Sequence, residues 1–157
     1  MRWPSGVSAE RVRWLRGVTD PLVHAAYAAT VLSPLAKRGQ WRPLVAGVAA
    51  GTLIDVDHAV SARSLRLTDL WSLPARPRAH SLILATAASG AAWRAAGARY
   101  GWAVFAGLWS HLLRDATDAS GTPVLWPVSR RDRVPRWAFA TCVVALTLGS
   151  EALARSR

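Results

Sequence analysis

The chain has a single cysteine, Cys142, a single lysine, Lys37, and a single methionine among its 157 residues. One thiol excludes an intrachain disulfide and a metal site built from cysteines. Only nine acidic residues stand against twenty basic ones, for a formal net charge of +11. Nineteen of those twenty are arginine, which together with the abundance of alanine reflects a GC-rich coding sequence more than chemistry. No apolar run reaches, without interruption, the roughly 20 residues that a standalone membrane span wants. There is no internal repeat and no low-complexity tract, so a solenoid is excluded.

Hydrophobic residues make up 52% of the chain and the mean hydropathy is +0.16. That is an odd pairing with so much positive charge for a soluble globule, and it fits a membrane protein whose loops carry the arginines. A nucleic-acid binder would gather its basic residues on one helix or tail. Here they punctuate apolar runs, so nucleic acid is not the expected partner. Trp41, Trp93, Trp102 and Trp137 stand at the ends of those runs, where interfacial belts place tryptophan. Residues 1–21 form a basic N-terminal segment, either a short interfacial helix or a loosely ordered basic terminus. Residues 22–153 form a membrane-embedded helical domain, and 154–157 a tail. Five apolar segments are expected as helices, at about 22–36, 43–60, 79–96, 101–116 and 135–153. Gly, Ala, Ser and Thr fill them, as close helix packing in lipid prefers. The predicted fold is all-α, an integral-membrane up-down bundle of four to five short transmembrane helices with a metal site at one end. The connections at 37–42 and 97–100 are tight. Those at 61–78 and 117–134 are long and proline-marked, where function tends to sit.

The stretch Gly51-Thr-Leu-Ile-Asp55-Val-Asp57-His58 ends an apolar helix in two carboxylates and an imidazole. Asp55 and His58, three residues apart, share a helical face, and unpaired charge in apolar surroundings is costly. Asp57 points away from Asp55 on an ideal helix, so it joins them only if the helix breaks there. His24 is expected to open the first helix, His58 to close the second, His80 to open the third, and His111 with Asp115 to close the fourth. In an up-down bundle all four positions lie at the same end. His111 and Asp115 are an i, i+4 pair, and Asp118 lies one turn further on. The candidate ligands are therefore His24, Asp55, His58, His80, His111 and Asp115. Imidazole with carboxylate suits Zn, Fe, Mn or Ni. One or two divalent ions are expected, zinc first, with Mn, Fe or Mg as alternatives. Asp57 and Asp118 are candidate general bases. Ser81 is a candidate nucleophile or, more simply, a helix cap. Arg63, Arg66, Arg76, Arg78, Arg130 and Arg131 surround the cluster. Such arginines either hold a phosphate or carboxylate substrate or anchor the loops to anionic lipid. Arg63, Arg78, Arg130 and Trp126 are the expected substrate-binding residues.

The ordered set is His24, Asp55-Val-Asp57-His58, Arg78-Ala-His80-Ser81, His111-Leu-Leu-Arg-Asp115 and Gly121-Thr-Pro-Val-Leu-Trp126-Pro127. It resembles the bacterial membrane-bound metal-dependent hydrolases, inner-membrane-associated proteins also described as LexA-binding. The resemblance covers roughly residues 20–130. It implies a multi-helix inner-membrane protein with a metal site at the matched His and Asp positions. One departure is Arg76-Pro-Arg-Ala-His80, where family members commonly carry a small residue and then Thr-His. The expected function is metal-dependent hydrolysis of an ester or phosphoester, lipid-linked or not, at the membrane surface. The alternative is a non-catalytic membrane protein with a structural metal and basic loops that bind lipid or a protein partner. Thirteen of the twenty Lys/Arg fall in 1–21, 61–79 and 114–136, on the cluster's side of the bundle. The positive-inside rule then turns that face to the cytoplasm of a multi-pass inner-membrane protein.

Overall fold

The computed structural model describes residues 8–70, 72–118 and 121–156. Its regular elements are helices: α1 (Ala9–Lys37), α2 (Trp41–Leu53), α3 (Val56–Ala62), the single turn α4 (Leu67–Leu70), α5 (Leu82–Ala96), α6 (Ala98–Ala116) and α7 (Arg136–Arg155). Residues 1–7 of the expected interfacial segment lie outside the described residues. The rest of it belongs to α1, which runs through the boundary expected near residue 22. Ser8 starts this helix, its side chain accepting from the Arg11 amide, and Pro21 and Pro34 lie inside it. His24 is therefore a mid-helix residue, not a helix opener. Over 29 residues α1 is about 43 Å long. Its first half carries the α4 turn, with Leu67 seated on Gly17.

α6 is the central helix and packs against α1, α2, α5 and α7. Its tightest seam is with α2, where Gly47 and Gly51 meet Ala103 and Gly107, a small-xxx-small spacing on both helices. A Cβ added at Gly51 would lie 2.6 Å from the Gly107 carbonyl oxygen, and one at Gly107 would overlap that of Gly47. Gly47 meets Ala103 and Gly51 meets Gly107, so the two helices run parallel. One turn past the seam, Gly51 leads to Asp55 and Gly107 leads to His111. The glycine contact thus carries Asp55 and His111 to the same height.

Val31, Leu32 and Leu35 of α1, Ala103 and Ala106 of α6, and Leu146 and Ala154 of α7 form the main core. Ala85, Leu108 and Leu112 form a second core against α5. Gly39 and Gly97, both at positive φ, make the two tight turns at the end away from the histidines. Leu22, Val45, Val56, Val60, Ile83, Trp93, Trp137, Val144 and Leu148 are exposed along the helices. Of the four tryptophans expected at helix ends, Trp41, Trp93 and Trp137 are exposed. Trp102 instead packs inward and donates to Ser150 Oγ at 3.0 Å. Two helical stretches, Trp41–Ala62 and Arg136–Arg155, are long and apolar enough to cross a membrane. The long connection after α6 is held down by backbone pairing of Thr122 with Asp132, of Leu82 with Val124, and of Val134 with Ala116.

Candidate metal centre

The second expected helix breaks at Ile54–Asp55. The amides of Asp57 and His58 bond to the carbonyls of Ile54 and Asp55, three residues back, which is the tighter 3₁₀ pattern. Asp57 is thereby free to join the cluster, as only a break would allow. All four histidines do converge: His24 is 2% exposed, His58 4%, and His80 and His111 fully buried, beside Asp55 and Asp115.

His80 is the hub. Its Nδ1 lies 3.2 Å from Asp57 Oδ2, and its Nε2 lies 3.3 Å from Asp55 Oδ1 and 3.2 Å from His111 Nε2. His111 Nδ1 donates to the Gly51 carbonyl at 2.7 Å, which fixes the tautomer and leaves Nε2 with its lone pair facing the cluster. That nitrogen is 3.5 Å from Asp55 Oδ1 and 3.3 Å from Asp115 Oδ2. The His24 ring stacks on His111 at 3.6 Å between centroids, with Nε2 3.4 Å from Asp115 Oδ1. His58 Nδ1 is 3.2 Å from Asp57 Oδ1.

Three overlapping sets of donors are close enough to share an ion: Asp55, His80 and His111; His24, His111 and Asp115; and Asp57, His58 and His80. The edges of the first triangle are 3.3, 3.2 and 3.5 Å. Four ligands around zinc at roughly 2.0–2.1 Å would stand about 3.3–3.4 Å apart, so this set fits one face of a tetrahedron. The buried Nδ1 of His24 and Oδ2 of Asp55 have no hydrogen-bond partner among the described residues. Burial alone would push His80 down, but its hydrogen bonds to Asp55 and Asp57 outweigh it and raise the imidazole to about 9. A cation, either a proton or a metal, is what these facing lone pairs and carboxylates call for.

The remaining expected residues take varied places. Ser81 caps α5, its hydroxyl accepting from the Leu84 amide, and is fully buried. Asp118 sits on the rim, 3.0 Å from Arg114 and 3.7 Å from Arg76. Arg78 lies over the Trp126 ring, 5.9 Å from its centroid. Arg63, at the left-handed C-cap of α3, and Arg130, on the 121–134 connection, are exposed and carry no bond to the cluster among the described residues.

Among the described residues, Arg76 does reach the cluster. Its Nη2 is 3.0 Å from Asp115 Oδ1, and its Nη1 is 3.5 Å from His58 Nε2. Sequence alone placed it among six loop arginines with nothing to single it out. The Gly51 carbonyl was also missed, although its place one turn before Asp55 was a usable signal. Beside the cluster a cleft of about 460 Å³ is lined by Asp57, Val60, Ser61, Arg76, Pro77, Arg78 and Ala79.

Transmembrane protein 267 of Mus musculus is 33% identical over 70 residues, covering 43% of this chain. The chain spans about a third of that relative's length. No solved structure matches it. The YdjM inner membrane protein family matches residues 18–154, which take in the glycine seam and every histidine and carboxylate of the cluster. The chain therefore belongs to the YdjM inner membrane protein family.

Proposed function

We propose that this protein is a metal-dependent hydrolase that acts at the membrane surface on an ester of an amphiphilic substrate, a phosphoester first. One observation carries the reading. Two buried imidazoles, each with Nδ1 tied to an oxygen, face each other through Nε2 at 3.2 Å, with Asp55 Oδ1 3.3 and 3.5 Å away. Asp55, His80 and His111 would hold a divalent ion, zinc by the donor set, with Asp57 and Gly51 orienting the two histidines. When bound, such an ion polarises an ester oxygen and brings the pKa of a water toward neutrality.

The chain's own residues supply the rest. Asp57, 19% exposed, borders the cleft and is placed to take a proton at its mouth. Asp118 is the second candidate base, already engaged by two arginines. Arg78 presents a guanidinium to the cleft and is itself steadied on Trp126. Val60, in the cleft wall, continues an exposed apolar line through Leu53 and Val56 on α2–α3, suited to an acyl chain. In this reading α1, α5 and α6 cross the bilayer with the two long apolar stretches. The basic end, which holds the histidine cluster, faces the cytoplasm.

The test is a screen of phospholipids, prenyl phosphates and generic phosphoesters with metal-loaded protein, against a His80→Ala control. Turnover of at least one class should exceed the control. If none does, hydrolysis is lost as the function. A second reading, a structural metal that staples the bundle while basic loops bind lipid or a protein partner, is favoured by the near-complete burial of His80, His111 and Asp115. An ordered ion coordinated by protein side chains on every side would select it.

A further inference from the structure

Charges at the cluster do not match in number. Asp55, Asp57 and Asp115 each lie against histidine nitrogens at 3.2–3.5 Å. Asp118 stands outside, matched by Arg114 at 3.0 Å. The Arg76 guanidinium, 13% exposed, lies 3.0 Å from Oδ1 of one of these three inner carboxylates, Asp115. With all four histidines counted as neutral, three negative charges face one positive charge in a nearly dry site, where an imbalance is costly. One divalent ion closes the difference, and two would leave the site positive by two. Donor supply agrees. His111 Nδ1 is committed to the Gly51 carbonyl, so the residue offers Nε2 alone, and the sets around Asp55 and around Asp115 both require it. Those two sets cannot each hold an ion at once. The remaining pair, the Asp115 set with the set of Asp57, His58 and His80, shares no residue, but Arg76 stands on a member of each, 3.0 Å from Asp115 Oδ1 and 3.5 Å from His58 Nε2.

We propose that Arg76 is the built-in third positive charge of a mononuclear centre, standing on Asp115 where a second ion would otherwise stand, while Asp55, His80 and His111 take the one ion. The inference rests on the metal reading above and adds to it a stoichiometry and a role for one arginine. Arg76 is a positioning residue here: it acts on the ion through Asp115 and through the balance of charge.

The experiment is a zinc titration of the full chain in detergent micelles, with elemental analysis for stoichiometry and a competing chelator for affinity. Melting curves confirm that each variant is folded. Wild type should bind one zinc per chain. Asp115→Asn leaves Arg76 unmatched and should weaken zinc at least tenfold. Adding Arg76→Gln to that variant should bring affinity back to within threefold of wild type, which a purely structural arginine would not do. Arg76→Lys alone, keeping the charge without the forked geometry, should stay within threefold and reports on the inference even if the double variant fails to fold. Two zinc ions per wild-type chain would overturn the proposal. So would a folded double variant weaker than Asp115→Asn, or a tenfold loss in Arg76→Lys. If wild type binds no zinc while the fold is intact, the failure belongs to the metal reading itself.

Discussion

The two ends of this bundle are both rich in arginine, yet only one of them has the makings of a site. At the far end Gln40, Trp41, Arg42, Arg99 and Tyr100 line an open cavity of about 730 Å³, larger than the cleft beside the histidines. Among the described residues its lining has no histidine and no carboxylate, and Arg99 there bonds the Ser156 carbonyl. At the histidine end, Arg76 is matched to a carboxylate that is 1% exposed. Cavity size and positive charge therefore do not separate the two. What does is the buried carboxylates lying against imidazoles, a set of donors that could hold a cation.

The comparison depends first on the glycine seam that sets the histidine end in place. Gly107→Leu should cost about 3 kcal/mol or more, because its side chain would run into the α2 backbone. Gly90→Leu, with nothing within 4 Å, should leave the melting temperature in detergent near wild type. Equal losses in both would remove the seam's special status. Next, His111→Ala should bring bound metal to background by elemental analysis. Arg42→Ala and Arg99→Ala, at the other end, should leave it unchanged. A smaller effect is expected from Asp57→Asn, which keeps the ion but loosens the orientation of His80. Affinity should fall about 10- to 100-fold, as when a metal-bound histidine loses its carboxylate support.

Acidity offers a further probe of the same end. In the ion-free protein the folded pKa of His80, about 9, lies above its ordinary 6.5. Its contribution to stability is then complete below about 6.5 and is lost as pH rises through 9. The ion-free melting temperature should fall across that window. Zinc affinity should rise over the same range, since proton and ion compete for Nε2. A melting temperature that climbs with pH without metal would contradict the geometry. Last, in a Cys142→Ser background, an impermeant thiol reagent should label Ala96→Cys in intact spheroplasts and Ser72→Cys only after permeabilisation. The reverse pattern would invert the two ends in the membrane.

Much of this site was legible from helix-end arithmetic. His58, His80 and His111 sit where an up-down bundle gathers them, and the spacing of Asp115 put it on the same face as His111. The sequence also showed that Asp57 could join only through a helix break, and Asp57-Val56-Asp55 is where the turn tightens. What stayed hidden depends on tertiary contact. The sequence did not reveal that the first apolar helix continues back to Ala9, because Arg11, Arg13 and Arg16 set residues 1–21 apart as a separate basic segment. Arg76 could not be told from Arg63 or Arg130, because burial beside Asp115 is a property of the folded loop. The four-residue spacing of Gly47 and Gly51 was present in the sequence. It was read only as general small-residue content, because its partner pair lies more than 50 residues away.

The bond from His111 to the Gly51 carbonyl carries a practical warning. What fixes this imidazole's proton is supplied by backbone, so no side chain exists to delete. An alanine scan would pass over it, and Gly51→Ala would report overpacking against Gly107 before it reported on the proton. The contribution is visible only to methods that alter the peptide group itself, such as replacing the amide that follows Gly51 with an ester to weaken its carbonyl as an acceptor. An experimenter who mapped this centre by mutagenesis alone would find Asp57 as one histidine's support and conclude, wrongly, that the other has none.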